Sequence, residues 1–242
     1  RYNRRVQMVF QDPFSSLNPR MTVGQTLREA ILVHGLRKPE EVPGRIRELL
    51  ELVGLPKDAE TRLPHEFSGG QRQRIGIARA LSVEPETLIA DELVSALDVS
   101  VQAQVVNLLL ELQERLHLTV LFVAHDLRLV RHISHRVAVM YLGRVVELAE
   151  TEKLFTSPAH PYTQALLRAA PEIDPSRKSV VEAVKGELPS PLNPPSGCPF
   201  HPRCPRAFDR CPKEVPALVP RGPEGRLVAC HLLEPQKNSS PN

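Results

Sequence analysis

One stretch constrains the fold of this chain more than any other: residues 67–81, Phe-Ser-Gly-Gly-Gln-Arg-Gln-Arg-Ile-Gly-Ile-Ala-Arg-Ala-Leu. Ser68 is followed three residues later by Gln71, the spacing of a capping box, which predicts that a helix starts here. Each glycine in the first turn weakens a helix by about 1 kcal/mol relative to alanine. Gly69 and Gly70 therefore indicate that another group approaches the backbone closely. The free N–H groups at a helix N-terminus favour an anion, most naturally a phosphate.

This stretch resembles the signature sequence of the ATP-binding-cassette (ABC) family, Leu-Ser-Gly-Gly-Gln, with Phe67 in place of the leucine. The Arg-Gln-Arg and Ala-Arg-Ala-Leu continuation strengthens the resemblance. It implies an α/β fold, with a parallel-sheet core like that of P-loop nucleotide hydrolases and an inserted α-helical subdomain over residues 22–82. It also implies that the signature contacts ATP held by an opposing subunit, through Ser68, Gly69, Gly70 and Gln71.

Helical patterns surround the signature. Thr22 and Gln25 form a second capping-box pair, which predicts a helix that extends to about Val33. Apolar residues repeat at helical spacing from Ile46 to Val53, and a long helix is predicted from Asp98 or Ser100 to about Leu116. A hairpin is predicted around Leu142-Gly143.

Three short apolar runs are typical of buried strands, and each ends in polar residues: 6–10 before Gln11, 87–90 before Asp91 and Glu92, and 119–124 before His125. Ligands of open parallel sheets bind beyond the carboxyl ends of the strands. The polar residues at these ends are therefore candidates for a site, although a solvated corner or a simple loop would give the same pattern.

The resemblance assigns a role to each of these residues. Gln11 would contact Mg²⁺ and the attacking water, and Asp91 would contact Mg²⁺ through water. Glu92 would be the base that orients or deprotonates the water, and His125 would hold the water and stabilise charge on the γ-phosphate. Asp98 belongs to a loop that crosses to the opposing subunit.

The sequence departs from the family pattern directly after the glutamate. The family has Pro-Thr at this point, and this chain has Leu93-Val94. The turn therefore lacks the fixed φ of a proline, which puts the positioning of Glu92 in question.

Residues 151–242 differ from the ABC ATPase domain expected over 1–150. The segment that begins His160-Pro161-Tyr162 resembles the C-terminal extension of oligopeptide and dipeptide importer ATPases. Residues 186–242 hold 13 of the 24 prolines and all four cysteines. This composition cannot build a core alone, so the segment needs a stabilising cross-link such as a disulfide or a bound metal.

The cysteines, at positions 198, 204, 211 and 230, allow three interpretations. Unlinked thiols are the simplest, and disulfides are disfavoured because nothing indicates an oxidising compartment. Metal ligation remains, with zinc or an iron–sulfur cluster as the occupant, and His201 and His231 available to a zinc site. The resemblance to importer ATPases favours a [4Fe–4S] cluster on Cys198, Cys204, Cys211 and Cys230.

Charge and hydropathy exclude other classes. A net charge of +3 over 242 residues is too small to make nucleic acid the main partner. No apolar run approaches the ~20 residues of a membrane-spanning helix. The chain also contains no Gly-x-x-x-x-Gly-Lys-Ser/Thr loop to hold the β- and γ-phosphates. We therefore expect that the chain is N-terminally incomplete and inactive by itself.

Together these features predict the ATP-binding and hydrolysing subunit of an importer for peptides or similar small solutes, with ATP and Mg²⁺ as cofactors. The resemblance implies a heterodimer with a second ABC ATPase subunit, two membrane permease subunits and an extracytoplasmic solute-binding protein. It places the subunit at the cytoplasmic face of a bacterial or archaeal plasma membrane. Two alternatives are a non-transport ABC ATPase that acts on DNA or translation, and a truncated, inactive cassette subunit or metal-binding module.

Overall fold

A computed structural model of the chain describes residues 2–10, 17–169, 187, 189–221 and 225–233. The backbone divides into two compact units, Arg1–Asp126 and Leu127–Asn242. The functional boundary expected after residue 150 remains a prediction. Among the described residues, no helix combines the length and the apolar character needed to cross a membrane.

The first unit is built on a parallel three-stranded sheet in the order β1-β2-β3. Its strands are β1 (Val6–Val9), β2 (Thr87–Asp91) and β3 (Thr119–Val123). Val6 pairs with Thr87, and Thr87 pairs with Thr119, so the carboxyl ends of all three strands meet at one edge. The three predicted strands are confirmed to within one residue at each end.

Helices make up much of the rest of the first unit. After α1 (Tyr2–Arg5) come α2 (Val23–Val33), α3 (Val42–Leu52), the signature helix α4 (Gly69–Leu81) and α5 (Val99–Leu116). The predicted capping boxes open α2 and α4, because in each helix the cap hydroxyl and the glutamine amide bond reciprocally to the backbone. Asp98 caps α5, and the chain leaves α3 through Gly54, whose φ is +65°.

Short 3₁₀ turns at Lys57–Thr61 and Pro64–Glu66 connect α3 to α4. The core of the first unit is formed by apolar side chains of its helices and its sheet. Leu27, Ile46, Ile75, Ile77 and Leu88 are fully buried. The helical pattern of residues 22–82 is therefore confirmed as secondary structure.

The second unit contains an antiparallel sheet in the order β4-β5-β7-β6. Strands β4 (Arg136–Tyr141) and β5 (Arg144–Glu150) form the predicted hairpin, whose two turn residues both have positive φ, +45° at Leu142 and +74° at Gly143. The two-residue strands β6 (Val219–Pro220) and β7 (Leu227–Val228) extend it. The hairpin therefore shares a sheet with the cysteine-containing segment, a pairing that the sequence pattern did not indicate.

The remaining elements of the second unit are helical. They are α6 (Leu127–Ile133), α7 (Thr151–Thr156) and α8 (Pro161–Ala169), with 3₁₀ turns at His201–Arg203 and His231–Leu233. Helix α8 begins at the proline of the His-Pro-Tyr segment, a position at which proline is favoured because its missing N–H would be unpaired there anyway.

Candidate functional site

The carboxyl edge of the parallel sheet gathers most of the predicted catalytic residues. Asp91 ends β2 and pairs in register with Val123, the last residue of β3. Glu92 follows directly, and His125 lies two residues beyond the end of β3. Gln11 falls outside the described residues. Its neighbour Phe10 follows the end of β1 at the same edge.

Glu92 and His125 face each other across this edge. The Nδ1 atom of His125 lies 3.6 Å from Oε1 of Glu92, and the side chains are 73% and 34% exposed for the histidine and the glutamate. Both groups are therefore within reach of a shared water or an anionic ligand. A carboxylate that accepts a proton beside an imidazole that donates one suits activation of water next to a developing negative charge.

The backbone of Glu92 is held in an unusual conformation. Its φ is +44°, in the left-handed region, which costs a non-glycine residue about 1–3 kcal/mol. Such a conformation persists only when its surroundings fix it. The Glu92 N–H donates to the carbonyl of Val123 at 3.0 Å, and the Glu92 carbonyl accepts from both the backbone N–H and the hydroxyl of Ser95, at 3.1 and 3.0 Å.

The turn after Glu92 is fixed without a proline. Leu93 and Val94 are 1% and 4% exposed, so both side chains are anchored in the core. The carbonyl of Val94 accepts from the Leu97 N–H at 3.1 Å and from the side-chain amide of Gln102 at 2.9 Å. The carbonyl of Leu93 accepts from the side-chain amide of Gln73. Burial and side-chain amides therefore define this turn, which the sequence left in question.

Asp98 has a local role in the structure. Its carboxylate accepts from the Val101 N–H at 3.0 Å and from the Ser100 hydroxyl at 2.7 Å, and so caps α5. These two hydrogen bonds lower the pKa of the Asp98 carboxyl, because they favour its charged form. The side chain is exposed, so it remains available for a further contact.

The signature residues form a second group in the same unit. The Ser68 hydroxyl accepts from the Gln71 N–H at 3.3 Å, and the Gln71 side chain accepts from the Ser68 N–H at 3.0 Å. A Cβ on Gly70 would lie 2.3 Å from Cγ1 of Val101, and one on Gly69 would lie 3.3 Å from Cδ2 of Leu97. The close approach that these glycines predicted is therefore made, within this chain, by the start of α5 and the loop before it.

Phe67 stands where the family has leucine, and it takes a core position. It is 2% exposed, and the guanidinium carbon of Arg62 lies 4.3 Å from the centre of its ring. An aromatic ring at this position is therefore accommodated by burial on one side and a cation–π contact on the other.

The four cysteines are free thiols in the second unit. Burial, and then the charges of the neighbouring thiols, raise the pKa values of Cys198 and Cys204, and they raise the pKa of Cys230 to about 11. The four thiols are thus within electrostatic range of one another. In the part of the chain that the structure describes, however, no group of three or more His, Cys, Asp or Glu side chains is arranged to hold a metal ion.

The two histidines of this segment point to carbonyl groups. His201 pairs through Nδ1 with the carbonyl of Cys198 at 2.9 Å, and His231 pairs through Nε2 with the carbonyl of Glu214 at 3.0 Å. A ring nitrogen that faces a carbonyl must donate its proton. These two nitrogens therefore hold the backbone of the segment in place.

The His-Pro-Tyr segment is anchored by a buried glutamate that the sequence analysis did not single out. Glu147 is 0% exposed, and its two oxygens accept from the N–H groups of Ala159 and His160, each at 2.9 Å. The Nε atom of Arg226 lies 3.9 Å from Oε1. The only signal in the sequence is a charged residue at an inward-facing position of β5.

His160 is buried as a neutral imidazole. Its Nδ1 accepts from the Tyr162 N–H at 3.0 Å, and burial lowers its pKa to about 4. The ring of Phe200 lies 5.9 Å from that of His160 and 5.3 Å from those of Tyr141 and Tyr162, measured between centres. The segment is therefore part of an aromatic core in the second unit, and this explains its residues without a catalytic role.

Comparison with known proteins gives two family matches. A family model described as "ABC transporter" matches residues 1–95, and one described as "Oligopeptide/dipeptide transporter, C-terminal region" matches residues 146–211. The chain is 56% identical over 234 residues to a probable peptide ABC transporter ATP-binding protein of Sinorhizobium fredii, covering 97% of this chain and 66% of that protein.

Two further proteins extend this comparison. A putative oligopeptide transport ATP-binding protein of Bacillus subtilis is 56% identical, with 96% of this chain and 71% of that protein covered. A solved structure of cbiO1 from Clostridium perfringens, described as part of the ABC transporter complex cbiONQ, superposes with a TM-score of 0.57 at 29% identity, covering 64% of this chain and 60% of that one. The chain spans about two thirds of the length of the peptide-transporter relatives.

Proposed function

Because the chain belongs to the family of ATP-binding proteins of peptide ABC transporters, we propose that its protein binds and hydrolyses ATP to power the import of peptides or similar small solutes. The observation that carries the proposal is the pairing of Glu92 with His125, 3.6 Å apart at the carboxyl edge of the parallel sheet. The relatives are described as peptide or oligopeptide transport proteins, which supports peptides as the solute.

Each residue of the edge has a distinct task in this proposal. Glu92 orients the attacking water and accepts its proton, and His125 donates a hydrogen bond to the γ-phosphate as negative charge develops there. Asp91 and Gln11 would hold Mg²⁺, Asp91 through a water molecule, and the metal would neutralise phosphate charge. Residues 1–242 contain no Gly-x-x-x-x-Gly-Lys-Ser/Thr sequence, so the loop that holds the β- and γ-phosphates is assigned to none of these residues.

The signature residues serve a second nucleotide in the same scheme. Ser68, Gly69, Gly70 and Gln71 present the N-terminus of α4 to the ATP of an opposing ATPase subunit, and Asp98 lies in the loop that reaches across. The partners proposed are a non-identical ATPase subunit, two membrane permease subunits and an extracytoplasmic solute-binding protein. The protein would act as a peripheral subunit at the cytoplasmic face of a bacterial or archaeal plasma membrane, with no nucleic-acid partner.

The test is ATP hydrolysis by the full-length protein assembled with its transporter subunits, comparing the natural sequence with Glu92→Gln. General-base catalysis contributes about 10²- to 10⁴-fold, so kcat is expected to fall by that factor while ATP binding persists. Glu114→Gln, the same change at an exposed position of α5, is the matched control and should be neutral. Full activity in Glu92→Gln would contradict the catalytic assignment.

The cysteines carry a separate and finer proposal, a [4Fe–4S] cluster on Cys198, Cys204, Cys211 and Cys230. It is supported by four neighbouring thiols that influence one another's pKa values, and it requires their side chains to rearrange from the free-thiol geometry. Anaerobic purification followed by absorbance near 400 nm and iron and zinc analysis tests it. About four irons per chain would support the cluster, whereas zinc alone, or metal-free protein, would overturn it.

A further inference from the structure

A buried glutamine lies inside the signature helix. Gln73 is 1% exposed, although glutamine is mostly found at protein surfaces. It occupies the face of α4 that carries Gly70, Gly76 and Ile77, because residues three and four apart lie on one face of a helix. A Cβ on Gly76 would lie 3.7 Å from the Val9 side chain, so this face packs against the end of β1.

The Gln73 amide bonds to two loops of the catalytic edge. Its Nε2 donates to the carbonyl of Leu93, the residue after Glu92, and lies 3.5 Å from the carbonyl of Phe10, the residue before Gln11. The first contact spans 20 residues of sequence and the second spans 63. One side chain of the signature helix therefore joins the loops that follow β1 and β2.

These two carbonyls lie outside the strand pairing of the sheet. The pairing of β1 with β2 ends at Val9 and Ala90, so Phe10 and Leu93 lie beyond the ladder. A buried carbonyl without a partner is costly, and the side chain of Leu93 is 1% exposed. Gln73 supplies the missing N–H at the point where the backbone leaves the strained φ of Glu92.

The other end of the amide suggests more than a stabilising role. The Oε1 atom of Gln73 is buried and has no hydrogen-bond partner among the described residues. A buried unpaired oxygen destabilises a core, so an apolar side chain of the same length would suit packing at least as well. The amide at this position is therefore explained by the two loops to which its N–H₂ group donates.

We propose that Gln73 is a positioning residue for ATP hydrolysis. It ties the signature helix, which faces the nucleotide of the opposing subunit, to the turn that carries Glu92 and to the strand end that leads into Gln11. Movement of the signature helix on the opposing nucleotide is thereby transmitted to the water-activating carboxylate of the same subunit. This inference rests on the proposed function, and it adds to that function a residue that acts through Glu92.

The experiment compares Gln73→Met with the natural sequence in the assembled transporter. Methionine keeps the length of the side chain but cannot donate to either carbonyl. Because small misplacements of a catalytic group cost up to about 100-fold, kcat is expected to fall about 10- to 100-fold, with the KM for ATP within about twofold. The melting temperature should stay within about 4 °C, because the loss of the two hydrogen bonds is partly offset by removal of the buried, unpaired oxygen.

Two other variants serve as a control and as a test of the proposed function. Gln113→Met makes the same substitution on α5, at a residue with no role in the proposed site, and should leave kcat unchanged. Glu92→Gln reports on the proposed function itself. If Glu92→Gln is inactive and Gln73→Met hydrolyses ATP at the natural rate, the role of Gln73 is overturned while the proposed function stands.

Hydrogen exchange supplies a readout that does not depend on activity. The N–H groups of Ser95 and Leu97 close the turn after Glu92, so they should exchange faster in Gln73→Met while the rest of the first unit is unchanged. Unchanged exchange at these two sites, or an equal increase throughout the unit, would overturn the positioning role. This measurement tests whether Gln73 holds the turn even if Glu92→Gln proves fully active.

Discussion

A methyl group added to the second signature glycine should weaken the protein through a single clash. In Gly70→Ala, the new Cβ would lie 2.3 Å from Cγ1 of Val101, where carbon atoms normally rest about 3.5–4.0 Å apart. Val101 stands in the first turn of α5, where a β-branched side chain has essentially one favoured rotamer. The valine cannot rotate away, so α4 and α5 must separate.

The size of the effect follows from two opposing contributions. Overpacking of this kind costs about 1–3 kcal/mol, and alanine in a helix recovers up to about 1 kcal/mol relative to glycine. Gly70→Ala should therefore lower the free energy of unfolding by about 1–2 kcal/mol. Val101→Ala deletes two methyl groups from a half-buried side chain, which costs about 1 kcal/mol. In the double variant the clash is absent.

Urea unfolding of the natural sequence, the two single variants and the double variant measures the coupling between residues 70 and 101 directly. The double variant should be destabilised less than the sum of the single variants, by about 1–3 kcal/mol. Gly44→Ala is the matched control, because Gly44 lies in α3 and a Cβ there meets nothing within 4 Å. That variant should be stabilised by about 0.5–1 kcal/mol. Additive changes among these variants, or a Gly70→Ala variant as stable as Gly44→Ala, would exclude a clash between the added methyl group and Val101.

Two further predictions concern the second unit. Glu147→Gln should lower the free energy of unfolding by about 1–3 kcal/mol, because an amide N–H₂ would face the N–H of Ala159 or His160. Urea unfolding measures this change, and Glu150→Gln, at an exposed position, is a near-neutral control. Equal stabilities of the Glu147→Gln variant and the natural sequence would contradict the prediction. Burial lowers the pKa of His160 from 6.5 to about 4. The neutral ring therefore contributes its full stability above pH 6.5, and the free energy of unfolding falls by about 3 kcal/mol as the pH is lowered from 6.5 to about 4. A pH series of unfolding should show this slope and should lose it in His160→Asn; the same slope in both proteins would exclude His160 as its source.

The elements of the catalytic edge could be predicted because their signals are local. Each apolar run stops where a polar residue begins, so the ends of β2 and β3 and the positions of Glu92 and His125 follow from sequence. The cap of the signature helix is also local, since Ser68 and Gln71 are three residues apart.

The contacts that hold these elements in place could not be predicted, because their partners are distant in sequence. Nothing near Gln73 reveals that it bonds to Phe10 and Leu93, and a glutamine inside a helix most often faces solvent. The glycine pattern predicted a close approach, but it did not identify Val101 as the group that makes it. The strands of residues 219–228 are two residues long, too short to carry any periodic signal.

The most direct test of the account is peptide uptake driven by the assembled transporter in proteoliposomes, with ATP on the side that the ATPase subunits face. We predict that labelled peptide accumulates only with ATP and Mg²⁺, and that Glu92→Gln abolishes accumulation while Glu114→Gln does not. Uptake that continues at the natural rate in Glu92→Gln, or ATP hydrolysis without any peptide movement, would contradict the claim that this carboxyl edge powers import.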